Sequence, residues 1–210
     1  MAFPTSAKGG SDWEPVPAGT HIARCVTCVS FGLQETGFGP KDKVYLGFEV
    51  PSVRVEWKKD DKDCEGPAII GSAYTNSIHD KAILGQHLVS WRGRTFTEAE
   101  RESFDLFTVV GVPCMISVTH KEVNGKTYAN ITGIMGLPPG TAVTEQETAS
   151  VKYHPQDSTT SIEGLPEWMQ KKIQAGEVLA TGQSENPAPP IQPPPGAAVT
   201  DPNFDDDIPF

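Results

Sequence analysis

The sequence predicts a mainly β chain: a five-stranded barrel with a helical segment between strands three and four, followed by a disordered C-terminal tail. Three observations carry that expectation. Five stretches rich in β-branched and apolar residues are bounded by turn residues. The apolar spacing switches to a helical period once, between the third and fourth stretches. After residue 140 periodicity stops, and the composition turns to Thr, Ser and Glu and then to Pro.

Residues 1–14 are small, polar and Gly-rich and read as a mobile arm. Residues 21–32 (HIARCVTCVSFG) form strand one, bounded by Gly19 and Gly32. Strand two covers 44–55. Val44, Leu46, Phe48 and Val50 alternate there with Tyr45, Gly47 and Glu49, so the first set faces a core. Pro51 marks a bend or bulge. Residues 57–62 (WKKDDK) read as a charged hairpin loop, and 68–77 as strand three. From 80 to 91, Ile83, Leu84, Leu88 and Trp91 recur at helical spacing, with Gly93 as the stop. Thr97 and Glu100 fit a capping box that opens a second short helix. Strands four (114–121) and five (127–135) flank the hairpin signal Asn124-Gly125. Three strands, a helix and a two-strand hairpin is the order of an OB-type barrel, which binds oligonucleotides or oligosaccharides. A mixed α+β sheet without barrel closure is the alternative.

The body therefore spans 15–140. Residues 141–202 read as a low-complexity linker, with a short helix at 163–174 carrying Trp168, Met169 and Ile173 on one side. Within it, 185–202 is an extended, Pro-rich spacer. Residues 203–210 form an acidic tip. The net charge is −10, but it is unevenly placed. Residues 15–140 carry thirteen Lys/Arg against fourteen Asp/Glu, whereas 141–210 carry three against eleven. A near-neutral body can still present a basic groove, because the field depends on where the charges sit. No stretch approaches the roughly 20 apolar residues of a membrane span, and the N-terminus has no secretory pattern. Four scattered cysteines then read as reduced thiols in a cytoplasmic protein.

The chain ends Asp205-Asp206-Asp207-Ile208-Pro209-Phe210. An acid run alone is a solvating tail. An apolar terminus behind it gains nothing unless a partner binds it, so the end reads as a short linear motif. The Phe210 ring would fill an apolar pocket, its α-carboxylate would pair with a basic side chain, and the aspartates would follow a basic ridge.

This end resembles the C-terminal tip of bacterial single-stranded DNA-binding proteins. The body resembles bacteriophage-encoded OB-fold members of that class, through PAGTHIARCV, the 82–96 segment with SWRGRTFTE, GKTYANITGI and the later LPEWMQKKI. The resemblance implies a non-enzymatic protein that coats single-stranded DNA in replication, recombination or repair. It also implies partner enzymes that bind the tip, and it is compatible with a homo-oligomer. A decoy that occupies host enzymes through the tip without binding DNA, and an enzyme such as a metal-dependent nuclease acting at forks, are the competing readings.

The candidate DNA contacts follow from chemistry. Single strands need cations for phosphates and aromatic faces for bases. Phe38 and Lys41 lie in the loop after strand one, and Lys43 and Tyr45 point outward from strand two. Arg54, Lys58 and Lys59 flank Trp57, Tyr74 lies on strand three, and Lys121, Lys126 and Tyr128 surround the last hairpin turn. Arg92 and Arg94 either reach phosphate or close the helix end. Cys25 and Cys28 have metal-like spacing, but on a regular strand they face opposite sides, so no metal or other cofactor is expected. No phosphate loop, nucleophile elbow or HExxH is present.

Overall fold

The computed structural model describes residues 14–59, 62–157 and 159–182. The strands are β1 (Gly19–Gln34), β2 (Lys41–Lys59), β3 (Lys62–Thr75), β4 (Pro113–Val123), β5 (Lys126–Met135) and β6 (Val151–Tyr153). The helices are α1 (Ile83–Arg92), α2 (Glu98–Ser103) and α3 (Glu167–Gly182), with a 3-10 turn at Leu106–Val109. The sheet order is β3-β2-β1-β4-β5, and these five strands form a curled antiparallel half-barrel. The mainly β expectation and the helical segment between strands three and four are met at that level.

Strand β1 organises the curl. At Arg24 it pairs with Glu49 of β2 on one edge and Pro113 of β4 on the other. Upstream of Arg24 only the β4 ladder continues; downstream only the β2 ladder does. The edge that β4 leaves is taken by β6, which runs parallel to β1 from Thr27 to Val29. Bulges accompany these changes, at Cys25/Thr27 and Ser30/Gly32 in β1 and at Val50/Arg54 in β2, where Pro51 breaks the ladder. A bulge adds local twist, which lets long strands curl.

The inner face holds the main core. Val44, Leu46, Phe48 and Val50 are all buried there, as the alternation predicts. Helix α1 closes this face with Leu84, Leu88 and Trp91. The Trp91 indole N–H donates to the Pro113 carbonyl at 3.0 Å, so its polar atom is satisfied. Gly93, at φ 70°, ends α1 in the left-handed conformation. The capping box of Thr97 and Glu100 opens α2. Asn124 and Gly125, at φ 53° and 72°, make the tight β4–β5 turn.

Three expectations change. The 57–62 segment is not a loop through Trp57–Lys59: β2 runs on to Lys59, and Trp57 stands opposite Cys64. The linker reading of 141–162 also misses how this segment is held. It lies along the sheet through hydrogen bonds that need no hydrophobic period. Arg24 donates to the Thr144 carbonyl at 2.8 Å. The buried Glu49 carboxylate accepts from the Glu147 and Thr148 amides at 3.2 and 2.6 Å. The helix placed at 163–174 starts later and runs longer, over Glu167–Gly182. Leu165, Met169 and Ile173 pack with Val29, Phe31 and Tyr153 on the outer face of the sheet. Each such side chain contributes about 1.5–3 kcal/mol when fully buried. Residues 1–13 of the arm expected at 1–14, the spacer at 185–202 and the tip lie outside the described residues.

Candidate nucleic-acid interface

The strand register sorts the expected contacts into separate places. Beyond the Arg24–Glu49 pair, β2 continues to Lys59; beyond the Gly19–Val118 pair, β4 continues to Val123. The β2–β3 and β4–β5 hairpins therefore both extend past the start of β1. Arg54, Trp57 and the backbone of Lys58 and Lys59 lie on one of them; Lys121, Lys126 and Tyr128 lie on the other. Lys121 stands directly opposite Tyr128, whose ring is 50% exposed. Trp57 is half-buried, its ring so close to β3 that a Cβ at Gly66 would meet it at 2.8 Å. Phe38 and Lys41 sit at the opposite end of β1, in and after the β1–β2 connection, where Phe38 is 94% exposed. They do not join the hairpin residues.

Four candidates are engaged elsewhere. Tyr74 pairs in register with inward-facing Val44, so its ring lies in the core. Its hydroxyl meets His87 Nδ1 at 3.3 Å, and burial pushes the phenol up to about 12. It offers no face to a base. Arg54 is held by Glu147 at 2.7 Å and Glu65 at 3.0 Å, so its charge is already matched. Arg92 and Arg94 both grip Glu100, at 2.7 and 2.6 Å, and Arg92 also lies over the Phe96 ring. They close the helical corner.

Lys43 and Tyr45 do point outward together. Lys43 Nζ donates to Thr75 Oγ1 at 2.9 Å. Tyr45 lies down across β3: a Cβ at Gly71 would sit 2.1 Å from its hydroxyl oxygen. Its ring centroid is 5.9 Å from Phe31 and 5.3 Å from Trp168 on α3. Burial pushes its phenol up to about 12 as well, yet the ring remains partly accessible. Trp168 itself is 41% exposed. The sequence reading places Trp168 on the packed side of a linker helix. Its helical spacing beside Lys171 and Lys172 was the signal for a surface role.

The cysteines are buried thiols, apart from the half-buried Cys64. The bulge at Cys25/Thr27 brings Cys25 and Cys28 to the same core, which regular alternation does not anticipate. Burial holds Cys28 and Cys114 up at about 12, which leaves them protonated and unreactive. Cys28 borders a cavity of about 350 Å³ that is also lined by Phe104, Phe107, Tyr153 and His154. Among the described residues no group of three or more His, Cys, Asp or Glu could hold a metal ion. Nor, among them, is any helix long and apolar enough to cross a membrane. No protein-family model matches this chain, and no curated protein matches it.

Proposed function

We propose that this protein binds single-stranded DNA on an OB-type barrel and recruits replication, recombination or repair proteins through residues 205–210. The observation that carries the reading is the motif Asp205-Asp206-Asp207-Ile208-Pro209-Phe210, three acids followed by an apolar Ile-Pro-Phe. The body supports it. Its curled sheet of order β3-β2-β1-β4-β5, with α1 between β3 and β4, suits a partly open Greek-key barrel. Lys43, Tyr45, Lys121 and Tyr128 supply outward cations and rings of the kind a single strand needs. In this reading the protein is not an enzyme, and it resembles phage-encoded members of its class.

A decoy that carries the tip without binding DNA is the second reading. The withdrawal of Tyr74 into the core and the pairing of Arg54 with two glutamates favour it. Titration of the full chain against labelled oligo-dT and a duplex of equal length, at two salt concentrations, separates the two. The strand binder prefers oligo-dT, and its affinity falls with salt at a log–log slope of about −0.7 per phosphate contacted. Equal or tighter binding to duplex contradicts it; no binding to either leaves the decoy.

A further inference from the structure

We infer that Trp168 is a base-stacking wall for single-stranded DNA, standing on the Tyr45 ring, with Lys43 and Lys172 beside it as phosphate partners. This rests on the strand-binding reading and names a surface for it.

The geometry is a corner. Tyr45 and Phe31 lie within 30° of parallel, and Tyr45 is flattened onto the sheet over Gly71. The Trp168 ring is inclined at 75° to Tyr45 and 77° to Phe31, so it rises from that floor. A base lying against the indole would have its edge over Tyr45. Helix α3 does not need the indole as its anchor, because Met169 and Ile173, with Leu165 just ahead of the helix, are already buried against the sheet. The adjacent residue nonetheless presents a large ring to solvent, in contact with two other aromatics.

The charges around the corner suit a phosphate backbone. Lys43 lies two residues before Tyr45 on β2 and therefore shares its face. Lys171 and Lys172 follow Trp168 at three and four residues, on the same side of the helix. Lys171 is matched by Glu167 at 2.6 Å, which leaves Lys172 as the helix cation for a phosphate. The main-chain carbonyl of Lys172 accepts from Gln34 Nε2 at 2.8 Å, so the backbone that carries this side chain is pinned to β1.

The test is anisotropy of labelled oligo-dT with the full chain and three variants, each checked by thermal melting. Trp168→Ala should weaken binding about 5- to 150-fold, the equivalent of about 1–3 kcal/mol for one stacked base. Trp168→Phe should keep most of the affinity, because the phenyl ring retains a π-face. It should also lose the part of the oligo-dT fluorescence quenching that Trp168 supplies. Lys172→Ala should make the log–log salt slope shallower by about 0.7. A folded Trp168→Ala variant with wild-type affinity overturns the inference, as does quenching that is unchanged in Trp168→Phe. If the wild-type chain binds no oligo-dT, the strand-binding reading fails with it; if only the variants behave like wild type, that reading stands and the Trp168 assignment alone falls.

Discussion

Tyr74 and Tyr45 lie on neighbouring strands of one sheet and face opposite ways. Tyr74 points inward, under α1, with its hydroxyl on His87. Tyr45 points outward, flat on β3, with α3 covering only part of it. Both phenols are pushed up to about 12 by burial, so titration alone does not tell them apart, although Tyr74 is buried and Tyr45 only half-buried. What differs is the partner layer. The inner face is closed by apolar side chains of α1, with Trp91 against Phe48 at 5.9 Å. The outer face is covered by α3, which buries Met169 and Ile173 yet leaves Trp168, Lys171 and Lys172 facing solvent. The inner face is sealed by apolar packing, whereas the outer face leaves an indole and lysines accessible.

That contrast can be broken at either layer. The largest effect is expected from the inner one. Phe48→Ala should lower unfolding stability by about 3–5 kcal/mol, measured by denaturant titration, because the fully buried ring leaves a cavity. The outer layer gives a smaller effect. A Cβ at Gly176 would sit 2.2 Å from the Phe31 carbonyl oxygen, so Gly176→Ala must lift α3 from β1. A cost of about 1–3 kcal/mol is expected, with near-ultraviolet circular dichroism reporting the disturbed Tyr45–Trp168 contact. An α3 that tolerates this change without loss is less firmly seated than the packing implies.

The smallest effect sharpens the account of the helical corner. Arg94, the Thr97 amide and Arg92, in that order, hold the Glu100 carboxyl down from 4.5 to about 2. A depressed carboxylate stabilises the fold above its unfolded value and loses that contribution as pH falls through its folded one. Glu100→Gln should therefore lower Tm at pH 7, and the gap to wild type should close between about 4.5 and 2. A gap that persists unchanged at pH 2 contradicts the pairing.

The legible parts of the fold were those with a local signature. The alternation in β2, the Gly93 stop, the Thr97–Glu100 box and the Asn124-Gly125 turn each act within a few residues. The direction of Tyr74 is not legible locally, because it depends on register with Val44, a pairing between strands. The shared side of Cys25 and Cys28 is hidden because a bulge breaks the alternation between them. The 141–162 segment gave no signal at all. Much of it is held by Glu49 and Arg24 through backbone groups, which leave no trace in side-chain periodicity, and its three-residue strand β6 with the buried Tyr153 is too short to show one. Trp168 was visible as a residue, but its neighbour Tyr45 lies more than a hundred positions earlier.

An amide chemical-shift map of the full chain, recorded with and without oligo-dT, tests the central claim most directly. The account predicts shifts on the outer face, at residues 43–47 of β2, 71–75 of β3 and 165–173 around α3, while the amides of α1 stay where they are. Shifts confined to other parts of the body, or none on saturating oligo-dT, would contradict it.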